Sequence, residues 1–83
     1  MTDEEKVWHD LTLEQVYSSI ASEEKSNLVK IGIFRFGMSV ASANALSKKD
    51  LQEKLTIMAR NEETHILIAK MASKANAFRR YNH

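Results

Sequence analysis

Apolar positions recur at helical spacing along most of the chain. Leu51, Leu55, Met58, Ala59, Ile66, Ala69 and Ala72 follow one another at steps that keep them on one side of a helix. Leu67, Met71 and Phe78, four and seven residues apart, form a second stripe on roughly the opposite face. This predicts a long helix from about 48 to 79, amphipathic in its first half and apolar on two sides in its second. Upstream, Val29, Ile33, Phe36, Val40 and Ala43 share one side of a helical wheel, and Ile31, Phe34, Met38, Ala41 and Ala45 share another. Gly32, Arg35, Ser39 and Ser42 lie in a narrow strip between them. Val29, Ile31 and Ile33 also alternate as a strand would, but the length of the segment and the lack of a second strand favour a helix over 27–45. Gly32 and Gly37 each cost roughly 1 kcal/mol relative to Ala inside a helix, so they mark close packing or a bend.

Three segments open with helix-start chemistry. Thr2 precedes Glu5 by three residues, Thr12 precedes Gln15, and Ser47 precedes Asp50. In each, a hydroxyl accepts from a free backbone N–H while the third residue reaches back, Asp being the shorter and weaker partner. Short helices near 3–9 and 13–24 follow, with a joint at His9-Asp10-Leu11 and the approach to the last helix at Asn44-Ala45-Leu46. The predicted fold is all-α, a single domain over 1–83. A helical hairpin of 27–45 and 48–79 carries two short N-terminal helices, and two hairpins pair into a dimeric four-helix-type bundle.

Composition narrows the classes. The 83 residues include no cysteine, no proline and two glycines. Disulfides and cysteine-ligated metals are thereby excluded, and a many-stranded barrel lacks its turn residues. Lys30 and Arg35 interrupt the longest apolar run, so no spanning helix is expected, and the acidic N-terminus predicts no signal peptide. The expected setting is the cytoplasm. A chain this short buries only a little over ~60% of its unfolded surface, which makes a core shared with a second copy or a partner attractive.

Charge is segregated. Residues 1–24 carry a net charge of −6, and residues 25–83 carry +7. No acid occurs between Lys25 and Lys49, and none after Glu63. An acidic N-terminal segment folded over the basic hairpin, in the same or a neighbouring copy, accounts for this pattern. The alternative is an anionic partner, with Lys70, Lys74, Arg79 and Arg80 meeting phosphates. A sequence pI of about 8.0 lies below the range usual for a dedicated nucleic-acid domain.

Candidate chemistry is sparse. Glu62 and His65 form Glu-x-x-His on the main apolar stripe, the spacing one helix contributes to a carboxylate-bridged metal pair in a bundle. Glu24 is the candidate for an additional carboxylate. Against that stands an ordinary Glu–His hydrogen bond or a boundary pair facing water, and no cofactor is expected. Trp8 is read as an anchor for the first helix, with His9 exposed beside it and no nucleophile nearby. Leu13 to Ile31 suits a helix-turn-helix poorly, because its turn at Ser22-Glu23-Glu24 sets two carboxylates beside the DNA. Gly32 to Gly37 is no phosphate loop, since no Lys-Ser/Thr follows.

The sequence thus points to a non-enzymatic, self-associating adaptor, inhibitor or regulatory subunit. Leu67, Met71 and Phe78 would dock a protein partner, while Lys70, Lys74, Arg79 and Arg80 steer it. The alternative is an accessory nucleic-acid binder using the basic C-terminal helix. The third reading, a bundle metalloprotein, rests on Glu62, His65 and Glu24.

Overall fold

The computed structural model describes the backbone of residues 1–81 and the side chains of residues 1–74. Every regular element among the described residues is helical. In chain order these are α1 (Asp3–His9), α2 (Leu13–Ser22), α3 (Lys25–Lys30), a π-helical stretch (Ile31–Arg35), α4 (Val40–Ala45) and α5 (Lys48–Tyr81).

The helix starts are those the capping pattern predicts. Thr2 and Glu5 close a reciprocal capping box on α1, and Thr12 and Gln15 close another on α2. Ser47 Oγ accepts from the Asp50 N–H at 3.2 Å at the head of α5. Each box satisfies backbone donors that a helix start leaves open, so these boundaries follow from local chemistry alone.

The segment 27–45 departs from expectation. It is not one helix, and the predicted two-helix hairpin does not form. α3 widens into the π-helical stretch and ends at Phe36, and Gly37 then adopts φ +72°. That left-handed conformation stops the helix, and it is open to glycine because no Cβ meets the backbone. Ser39, which the wheel places on a polar strip, instead caps α4 by accepting from the Ser42 N–H at 3.1 Å. Gly32 has the other role anticipated for a glycine here. It is buried, and a Cβ built on it would lie 2.9 Å from Met38 Sδ and 3.6 Å from Leu55 Cδ2. A side chain there would press on Met38 in the turn that follows, while Leu55 of α5 lies at ordinary contact distance.

One core holds the elements together. Val16, Ile20, Leu28, Ile31, Leu51, Leu55 and Ala59 are buried against one another, with Trp8, Leu11, Tyr17, Phe36, Met38 and Leu46 packed around them. α2 runs antiparallel to α5, since Gln52 Nε2 donates to the Ile20 carbonyl at 2.9 Å while the earlier Tyr17 donates to the later Glu63 at 3.0 Å. α1 closes over the π-helical stretch, with Lys30 Nζ 3.0 Å from Glu4 and 5.8 Å from the Trp8 ring centroid. Exposed pairs of that kind contribute little, and the apolar contacts of Trp8 carry the docking.

Only the first half of α5 belongs to this body. The longest dimension is 54 Å, close to the length of the 34-residue helix itself. Leu51, Leu55 and Ala59 are fully buried, whereas every described side chain from Glu63 to Lys74 is exposed. In urea titrations, Leu55→Ala is expected to destabilise the protein by about 2–5 kcal/mol. Gly37→Ala is expected to lower stability by about 1–2 kcal/mol through backbone strain alone.

Candidate functional site

α5 leaves the body at a defined point. The Arg35 guanidinium grips both carboxylate oxygens of Glu62 at 2.6 Å, and its Nε donates to the Leu11 carbonyl at 2.8 Å. One side chain thereby ties the π-helical stretch, the α1–α2 joint and α5. One residue further on, Tyr17 donates to Glu63. These are the last hydrogen bonds from α5 to the body among the described residues.

Electrostatics at this junction follow from the pairing. The hydrogen bonds from Arg35 hold the Glu62 carboxyl below the usual carboxylate range, against the opposing effect of partial burial. The same hydrogen bonds raise the Arg35 pKa, again against burial. Partial burial, reinforced by the neighbouring Glu63, pushes the Tyr17 hydroxyl up.

Beyond the junction the helix becomes an arm. Leu67 and Met71, the predicted docking residues, are 58% and 62% exposed, and Ile68 matches them at 58%. Ile66 continues the buried stripe in register but is itself exposed. Phe78, Arg79 and Arg80 lie outside the described side chains. Lys70 and Lys74 are exposed and line one shallow groove with His65, Ile66, Ala69 and Ser73. The apolar and basic residues singled out in the sequence thus lie on one projecting segment as far as Lys74.

The metal candidates do not assemble within the chain. Glu62 has both oxygens on Arg35, and His65 is exposed on the arm. Glu24 follows α2 at the opposite end of the body. Ile20 already lies beside Gln52, about 15 Å along α5 from Glu62. No group of three or more His, Cys, Asp or Glu side chains comes together among the described residues. The Glu62–His65 hydrogen bond considered from the sequence gives way to the Glu62–Arg35 fork for the same reason.

His9 and Asp10 pair at 3.0 Å on the exposed end of α1. Ile57 is a position the docking assignment omits: it is 55% exposed on the outward face of α5, within the body. Its spacing of seven from Thr64 and fourteen from Met71 is the sequence signal that links it to the arm.

Among the described residues, no helix is long and apolar enough to cross a membrane. The chain matches no family model, no curated protein and no solved structure.

Glu62→Gln is expected to destabilise the protein by about 1–3 kcal/mol at neutral pH, the range for hydrogen bonds to charged groups. Because folding lowers the Glu62 pKa, its stabilisation is complete above the ordinary carboxylate pKa. It disappears as pH falls through the depressed folded value. Urea midpoints of the wild type and Glu62→Gln should therefore converge as the solution is acidified.

Proposed function

We propose that this protein is a non-enzymatic, self-associating adaptor, inhibitor or regulatory subunit of the cytoplasm, with the projecting half of α5 as its docking element. One observation carries the reading. Ile66, Leu67, Ile68 and Met71 stand exposed on a helix that has left its own core. Consecutive exposed apolar residues at 66, 67 and 68 surround the helix on most sides, and such a helix ordinarily belongs inside an assembly. The folded body supplies the rigid mount, and the arm presents the contact surface.

Sedimentation at micromolar concentration tests this directly. The wild type is expected at a mass of two or more copies. Leu67→Lys with Met71→Lys should reduce it to one copy, with helical content retained, since neither side chain contributes to the core. A monomeric wild type whose mass does not respond to the double substitution removes the proposal.

A second reading is supported by the groove at His65, Lys70 and Lys74, on a stretch with no acid after Glu63. There the arm meets phosphates as an accessory nucleic-acid binder. Binding to duplex DNA or RNA would then weaken steeply with salt, and Lys70→Gln with Lys74→Gln would flatten that dependence by about two phosphate contacts. Absent or salt-insensitive binding eliminates this reading.

A further inference from the structure

We infer that the arm of α5 lies flat on an anionic lipid surface, with Leu67, Ile68 and Met71 seated against the acyl chains and Lys70 and Lys74 at the headgroups. This inference rests on the arm being the docking element proposed above and names the surface it meets, without requiring a second copy. Leu67, Ile68 and Met71 are exposed and fall within about 100° of the helix circumference. Thr64, uncharged and exposed, lies inside the same arc. Ile66 stands apart, in register with the buried stripe, and at 44% is the least exposed apolar residue of the arm. Leu51, Leu55 and Ala59 are buried on the opposite side of the helix, so the body stands behind the strip. Ile57 and Asn61, on the outward side before the junction, are also exposed, which leaves a broad surface free to approach.

Charge decides the kind of surface. Within the body the outward side of α5 mixes Glu53 with Lys49 and Arg60, whereas the arm carries only bases. Lys70 follows Leu67 by three residues and Lys74 follows Met71 by three, so both lysines border the strip on one edge. No acid occurs after Glu63, and the sequence adds Arg79 and Arg80. An apolar strip edged by lysines is the pattern of a helix lying at the boundary between headgroups and acyl chains. The lysine stems cover apolar surface there while the ammonium groups stay with lipid phosphates. A nucleic acid would meet the same lysines but leave Leu67, Ile68 and Met71 in water, and a lipid boundary accepts both kinds of side chain.

The arm lies on the bilayer and does not pass through it, because Lys70 and Lys74 interrupt its apolar run and no described helix is apolar enough to cross. Three large apolar side chains are few, so binding is reversible and depends on the charges as well. Each Lys or Arg held close to an anionic leaflet strengthens binding about fivefold. The leaflet facing the cytoplasm is the anionic one, in keeping with the setting proposed above.

Flotation of the full chain with vesicles tests this. Phosphatidylcholine vesicles containing phosphatidylserine are expected to carry the protein at least about tenfold better than phosphatidylcholine alone. Lys70→Gln with Lys74→Gln should remove most of that preference, and Leu67→Ala with Met71→Ala should weaken binding with the charge unchanged. Failure to float with either vesicle overturns the inference. So does binding that ignores the apolar pair, and so does binding of duplex DNA or RNA without binding of vesicles. The chain has no cysteine, so a single introduced one reports which side meets lipid. Thr64 and Ser73 are exposed and nine residues apart, which sets them about half a turn from each other. A polarity-sensitive dye on Thr64→Cys should shift to the blue when anionic vesicles are added, and the same dye on Ser73→Cys should not. Equal shifts, or none, overturn the arrangement. Sedimentation without vesicles keeps the two ideas separate. An oligomer that does not float leaves self-association standing and removes this inference, whereas a monomer that floats does the reverse.

Discussion

The grip of Arg35 on Glu62 is the constraint on which the shape of this molecule depends. The guanidinium is mostly shielded from water, and its planar fork matches the carboxylate with two parallel hydrogen bonds. Its remaining reach goes to the Leu11 carbonyl, a backbone acceptor at the joint between α1 and α2. Three segments distant in sequence meet at this one group. Its position on α5 sets where the body ends and where the arm begins.

The rest of the fold is arranged to bring Arg35 there. Gly32 leaves room for Met38 against the π-helical stretch, that stretch carries Arg35, and Gly37 at positive φ ends it. A partly buried ion pair is weak evidence of net stability, because the Coulombic gain works against desolvation. Its value here is positional. It terminates the packed half of α5 with groups that prefer water nearby, and it leaves the helix free to continue.

That continuation leaves apolar surface outside the core. A helix that grows out of a packed segment is already nucleated, so the arm extends it without a fresh nucleation cost. Its exposed apolar residues remain unfavourable in water, and this is the free energy available for association. One helix therefore has two parts, packed in the core before Glu62 and exposed after it.

The local elements were legible in the sequence because local chemistry fixes them. Thr2 with Glu5, Thr12 with Gln15 and Ser47 satisfy their own helix starts, and the four-residue recurrence of Leu51, Leu55 and Ala59 marks the buried face of α5. The second apolar stripe at Leu67 and Met71 was legible for the same reason, and both residues stand exposed. The break in 27–45 was not legible. Periodicity there fits a single helix, and a glycine alone does not declare whether it is packed, as Gly32 is, or turned to positive φ, as Gly37 is. Glu62 stood on the apolar stripe of the last helix, whereas Arg35 sat in the polar strip of 27–45, and neither pattern signalled their pairing. Their meeting is a matter of three-dimensional distance across 27 positions of chain, which no local pattern encodes. Helix identity and amphipathicity are set by neighbours a few residues away, so the sequence determined them by itself. Where the body stops, which charges pair and how much of α5 stays uncovered depend on the path of the whole chain, and only the tertiary structure decided them.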